Sequence, residues 1–256
     1  MTELKALLFD VDGTLAETEE VHREAFNEAF RRAGLDWHWD QNRYRELLAV
    51  TGGKERIRHF IAESAPAMPQ VEDLDAFIAG LHAAKTEVYT ERAGSGRMPL
   101  RPGVERLLRE ARDAGLRLAI ATTTTLENVT SLLDATLGPE ARDWFELIAA
   151  GGVVPAKKPA PDIYHYTLEH MQLDPAACLA LEDSENGLQA ALAAGIPTLV
   201  TESFYTEGQD FTGAAALLDQ LGEPGQSFRV LAGEVPEGEM VTVPWLRALH
   251  ARVTGA

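Results

Sequence analysis

Cysteine occurs once in these 256 residues, as Cys178. A lone thiol closes no internal disulfide, so no oxidising compartment is implied and the fold must rest on a packed core. Long apolar runs are missing too. The most apolar window, 190–200, is interrupted by Gly195 and Pro197 and falls short of a membrane span. The amino terminus lacks the basic stretch and apolar run of a secretory signal, and the expected location is the cytoplasm. Positive charge is scarce: 23 Lys and Arg face 40 Asp and Glu, a formal net charge of −17. That balance speaks against nucleic acid and against an anionic membrane as partners, because both demand a basic surface. It leaves room for a small phosphorylated substrate, which needs only a local knot of cations. Only five of the cations are lysines, namely Lys5, Lys54, Lys85, Lys157 and Lys158, so arginine supplies most of the solvated positive charge.

What remains is an ordinary globular chain, 45% hydrophobic and 25% charged, with no internal repeat. Its length suits one elaborated domain or a core with an insert. Residues 4–9 form a short apolar run that stops at an acidic cluster, the pattern of a buried parallel strand. The period then becomes helical, with Val21, Ala25, Phe26, Ala29, Phe30 and Ala33 on one face and Gly34 as the stop. Helices are predicted over 43–50, 55–65 and 74–92, with no strand between 18 and 93. Gly94-Ser95-Gly96 reads as a hinge linker out of this helical block. From Arg101 the rhythm alternates: a helix opened by Pro102 and running to Ala114, a strand over 116–121, a helix over 128–137 and a strand over 145–149. A helix over 162–171, a strand over 177–181, a helix over 187–194 and a strand over 197–201 continue it. A final helix is predicted over 243–253. Strand and helix alternation of this kind specifies an α/β, doubly wound parallel sheet covered on both faces. The domain reading is a core of 1–17 and 94–256, interrupted by an all-helical cap over 18–93. In such sheets ligands sit beyond the carboxyl ends of the strands.

Asp10-Val11-Asp12-Gly13-Thr14-Leu15 lies where the first strand ends. Strand geometry sends residues two apart to one side, so Asp10 and Asp12 can face one crevice. Two carboxylates this close form either a cation site or a pair with split protonation states. A plain turn would also use Asp and Gly. Three further clusters fall at the same predicted edge: Thr122 after the second strand, Lys158 in Lys157-Lys158-Pro159-Ala160-Pro161-Asp162, and Glu182-Asp183-Ser184 after the strand ending at Leu181. Each alone has a bland explanation, as a cap, a solvated lysine or a helix start. The ordered set of four is specific. Other features carry less. Trp37 and Trp39 read as packing, Cys178 as a buried thiol, and Gly52-Gly53-Lys54 lacks the spacing of a P-loop. His165 and His170 are five apart, which does not suit zinc.

These four clusters, in this order, resemble the motifs of the haloacid dehalogenase-like phosphohydrolase superfamily, over nearly the whole chain. The helical block stands in the place of that superfamily's cap. Asp12 at the second position of the first motif matches the phosphotransferases rather than the dehalogenases. Within the superfamily, residues 51–57 and Ala121-Thr122-Thr123-Thr124 resemble the CbbY type, a relative of beta-phosphoglucomutase, whose substrate is the Rubisco inhibitor xylulose-1,5-bisphosphate. The resemblance implies a magnesium-dependent phosphatase of a small sugar phosphate, acting through an aspartyl-phosphate. A phosphosugar mutase and a phosphoglycolate phosphatase are the alternatives.

Charge explains why such a site needs a cation. A carboxylate approaching a phosphate dianion is repelled by ~4 kcal/mol per unit-charge pair at ~4 Å and an effective dielectric of ~20. Asp10, the Asp12 backbone carbonyl and Asp183 would hold Mg2+, with Glu182 joining directly or through water. Asp10 would be the nucleophile and Asp12 the acid and base, while Thr122 and Lys158 hold the transferring phosphoryl group. For the rest of the substrate the candidates are Glu17, His22, Gly52, Gly53, Lys54, Lys85, Thr122 and Thr123. Lys54, with Arg56 beside it, would meet a second phosphate. A monomer is expected.

Overall fold

The computed structural model describes residues 3–93 and 98–255; the expected linker over 94–96 lies outside the described residues. The chain runs β1 (Ala6–Phe9), α1 (Glu19–Arg32), α2 (Gln41–Leu47), α3 (Gly53–Ser64), α4 (Leu74–Ala93), α5 (Val104–Asp113), β2 (Arg117–Ala121), α6 (Leu126–Thr136) and β3 (Leu147–Ala149). It continues through α7 (Asp162–Met171), β4 (Cys178–Glu182), α8 (Glu185–Ala193), β5 (Thr198–Thr201), β6 (Ala216–Leu218), β7 (Val230–Ala232) and α9 (Val243–Thr254). The sheet order is β3-β2-β1-β4-β5-β6-β7, parallel except for the β6–β7 pair.

Period-two alternation splits β1 between the two faces of this sheet. Leu7 and Phe9 join one buried cluster, which also takes Trp245, Leu246 and Leu249 of α9; Ala6 and Leu8 join the other, under α7 and α8. Register makes the strand tips flush: Phe9 pairs with Ile120 on one side and Leu181 on the other. The residues that follow these three strands therefore emerge at one edge. The four helices between β1 and α5 carry a hydrophobic cluster of their own, built on Phe26, Phe30, Trp37, Trp39, Tyr44 and Phe60, and no strand occurs in 18–93. Trp37 and Trp39 are packing residues, as expected.

The sequence misses two strands. β6 and β7 have three residues each, too few to show alternation, and all of β7 is exposed. The helix expected from Pro102 starts at Val104, because Gly103 turns through φ +87 first. The helix expected from Gly187 starts earlier, at Glu185, where the Ser184 side chain accepts from the Gly187 amide. No described helix is long and apolar enough to cross a membrane.

Candidate active site

The first acidic pair arises from a sharp turn after β1. The Val11 carbonyl accepts from the amides of Thr14 and Leu15, and Gly13 sits at φ +84. A side chain at Gly13 would place its Cβ 2.0 Å from Asp183 Oδ2. Glycine is required here, both for the turn and for the approach of β1's loop to β4's acids.

Asp10, Glu182 and Asp183 converge, with one oxygen of each within 4.8 Å of the others. Lys158 reaches them from the loop after β3. Its ammonium donates to Asp10 Oδ1 at 2.7 Å, to Glu182 Oε1 at 2.7 Å and to the Ala121 carbonyl at 2.9 Å, using all three of its protons. Tyr164 on α7 also donates to Glu182 Oε1, and Ser203 donates to Asp183 Oδ2 at 2.9 Å. Burial drives the carboxyls up: Asp10 is pushed to about 7 by burial and the Glu182 and Asp12 charges, against the pull of Lys158. Asp183 is raised well above the usual range by burial and the charges of Asp10 and Glu182. Burial disfavours the Lys158 ammonium, yet Asp10 and Glu182 carry it above its ordinary value.

Three carboxyl groups share one ammonium, and their mutual repulsion in a buried site favours a further cation or protons among them. Glu182 Oε2 is fully buried and has no hydrogen-bond partner among the described residues, which is costly for an acceptor. A hard divalent cation fits this all-oxygen donor set. The Asp12 side chain lies outside the cluster, so only its backbone carbonyl could join the metal set as expected.

The Asp12 carboxylate turns instead toward the helical insert. Its Oδ1 accepts from Thr18 at 2.5 Å and from His22 Nε2 at 2.9 Å. Lys85 on α4 lies 2.6 Å from His22 Nδ1. An ammonium only donates, so this pairing assigns the imidazole proton to Nε2, facing Asp12. Burial works against the Asp12 charge, but His22, Thr18 and Lys85 together hold the carboxyl far below its ordinary value. Burial pulls Lys85 down to about 8, against the attraction of Asp12 and Glu19.

Above these groups lies a cavity of about 690 Å³ between the strand tips and the insert. Asp10, Asp12, His22, Gly52, Gly53, Lys54, Lys85, Thr122, Thr123, Lys158 and Asp183 all line it. Thr122 is buried, and its hydroxyl accepts from the Thr124 amide. Lys54 is exposed and forms no ion pair among the described residues. Arg56 is committed to the Leu47 carbonyl and the Tyr44 hydroxyl. Glu17 is not brought to this cavity. It pairs with Arg101 at 3.2 Å and lines a smaller pocket beside Val21 and Met98. The Arg101 guanidinium is fixed by the carbonyls of Gly13, Thr201, Glu202 and Asp219, and it draws Glu17 to that side.

Sequence reasoning misses Tyr164, Ser203, Tyr205 and His82. Ser203 was within reach, since it follows β5 and the strand-tip rule applied to β5 points at it. The same loop carries Tyr205, whose ring enters the insert's aromatic cluster while its hydroxyl donates to Glu20 on α1. Arg45 on α2 donates to the Phe204 carbonyl at 2.6 Å. One loop of the sheet domain thus touches both a carboxylate of the acidic cluster and the insert.

A carboxylate trio that could hold a divalent cation, an ammonium and a second acid meet at the switch point of a doubly wound sheet, the arrangement of an α/β hydrolase. Residues 4–195 match the family model of the haloacid dehalogenase-like hydrolases, and the chain belongs to that family. Its similarity is strong to CbbY proteins. It is 56% identical to Protein CbbY of Rhodobacter capsulatus over 83% of this chain and 91% of that protein. It is 50% identical to the plasmid CbbY of Cupriavidus necator, over 87% of this chain and 88% of that protein. A crystal structure of a CbbY variant from Rhodobacter sphaeroides in complex with xylulose-1,5-bisphosphate superposes with a TM-score of 0.80 at 49% identity, covering 85% of this chain and 94% of that one. The chain is an enzyme of the phosphatase class.

Proposed function

We propose that this enzyme is a Mg2+-dependent phosphatase of xylulose-1,5-bisphosphate, working through an aspartyl-phosphate on Asp10. The observation that carries the reading is the Asp10–Lys158–Glu182 bridge, closed by Asp183, on the floor of a cavity whose insert wall presents the unpaired Lys54. The complex of the Rhodobacter sphaeroides relative supports the choice of sugar. In this reading residues 18–93 act as the cap of a core formed by 1–17 and 94–256, and one chain supplies every group, so a monomer in the cytoplasm suffices.

Asp10, Glu182, Asp183 and the Asp12 carbonyl would hold the cation, which when bound neutralises phosphoryl and carboxylate charge. Thr122 and Lys158 hold the non-bridging phosphoryl oxygens, Lys158 by redirecting to them the proton that it gives Asp10 at rest, once Asp10 turns to phosphorus. Asp10 forms the new bond to phosphorus as the bond to the sugar oxygen breaks. Asp12 rests as a carboxylate; an arriving phosphate dianion raises its proton affinity, so that it takes up a proton from the water in the cavity and passes that proton to the leaving oxygen. It then takes one from the water that cleaves the aspartyl-phosphate. The cap excludes bulk water during the transfer.

The test is release of inorganic phosphate from xylulose-1,5-bisphosphate, with Mg2+ and with a chelator, for the wild type and Asp10→Asn. Release by the wild type that needs Mg2+ and disappears in the variant supports the reading. Turnover by Asp10→Asn refutes the nucleophile assignment. A changed sugar isomer without phosphate release identifies a mutase instead.

A further inference from the structure

His82 has no role in the chemistry above, yet the structure holds it in an unusual setting. It stands on α4 three residues before Lys85, on the same helical face, and its ring lines the cavity. The ring rests on the bare backbone at the start of α3. A Cβ at Gly53 would lie 2.5 Å from His82 Cδ2 and 2.6 Å from Nε2, so the fit exists only because residue 53 is glycine. Neither ring nitrogen makes a hydrogen bond among the described residues. Three of the five lysines of the chain, Lys85, Lys54 and Lys157, act on it electrostatically. Burial first, and these ammonium groups second, push its imidazole down to about 3.

The consequence is a neutral imidazole inside a ring of cations. Lys157 is spent on Glu55 at 2.7 Å, and Lys85 is spent on His22. Lys54 forms no ion pair among the described residues, and a point charge fixes no orientation. A neutral imidazole supplies what is missing: one N–H with a definite direction, held by packing and not consumed by the protein.

Resting on the phosphatase reading above, we propose that His82 is a specificity-determining residue that donates a hydrogen bond to the phosphate at the non-reacting end of a sugar bisphosphate, beside Lys54. A substrate with a single phosphate leaves this N–H idle, so His82 separates bisphosphates from monoesters.

The experiment compares steady-state kinetics of the wild type, His82→Phe and His82→Asn on xylulose-1,5-bisphosphate and on p-nitrophenyl phosphate. His82→Phe keeps a ring against Gly53 and removes the donor. Its KM for the bisphosphate is expected to rise ten-fold or more with kcat within two-fold, while kcat/KM for p-nitrophenyl phosphate stays within two-fold. His82→Asn, which restores an N–H, is expected to recover part of that loss. Equal losses on both esters, or an unchanged bisphosphate KM in His82→Phe, would overturn the assignment. The wild-type preference for the bisphosphate reports separately on the substrate reading. Absence of that preference sinks the bisphosphate and His82 together. Its presence, with an unaffected variant, sinks His82 alone.

Discussion

Replacing Lys158 by methionine keeps most of the volume of the side chain and deletes the charge that binds the acidic cluster together. Lys158 is 5% exposed and pairs with Asp10 and Glu182 at 2.7 Å each, and Glu182 is wholly buried. Removing one partner of a buried ion pair costs about 3–5 kcal/mol, because the remaining charge stays desolvated. At ~2–4 °C per kcal/mol for a chain of this size, the melting temperature should fall by about 6–20 °C at pH 8. The carboxyls can escape by taking up protons, which gives the loss a pH signature. Asp10 already sits at about 7 in the folded protein, above its ordinary value of 3.8. A folded-state value raised in this way stabilises the protein at low pH, and that stability is lost as pH rises through the folded value. Deleting the ammonium moves the Asp10 value higher still, so the variant's deficit is small near pH 5 and widens toward pH 8. Thermal unfolding followed by circular dichroism, in chelator at each pH, measures both curves. A deficit under 2 °C, or one constant between pH 5 and 8, would refute the charge accounting.

Asp10→Asn relieves the same crowding of acids from the other side, so in chelator at pH 8 its melting temperature should equal or exceed that of the wild type. Ser203→Ala removes the hydroxyl that fixes Asp183 Oδ2. By the usual weight of such supporting bonds, the Mg2+ concentration that half-saturates a thermal-shift titration should rise ~10–100-fold; an unchanged midpoint counts against Asp183 as a ligand. Tyr205→Phe keeps the ring in the insert's cluster and loses the bond to Glu20. Glu20 is partly exposed, so the loss is limited to about 1 kcal/mol. It should appear as a several-fold higher KM and faster proteolysis of the insert, with the core melting temperature nearly unmoved.

The five principal strands and the helical insert are legible because each is an apolar run or an amphipathic period long enough to count. The floor of the candidate site is legible for a different reason. Parallel pairing makes the strand tips flush, so residues following β1, β2 and β4 share an edge wherever they stand in the chain. β6 and β7 escape notice because three residues display no period. Glu17 and His82 mark the real limit. Both lie in loops or helix faces whose direction depends on tertiary partners, Arg101 for one and the Gly53 backbone for the other. No local pattern encodes those partners. His22 and Lys85 are found as cavity residues, but their link through one imidazole to Asp12 emerges only from the packing of α1 on α4.

Asp10 and the lysine that balances it are separated by 148 positions. At ~5–20 residues per second on the ribosome, about 7–30 s pass between the synthesis of Asp10 and that of its counter-charge. Asp12 meets its partners Thr18 and His22 within a few residues, whereas Asp10 leaves the ribosome long before the lysine that pairs with it. Reactivity toward cellular phosphate esters cannot begin until translation has passed α7 and delivered β4. A chain released before β4 is in this way inactive.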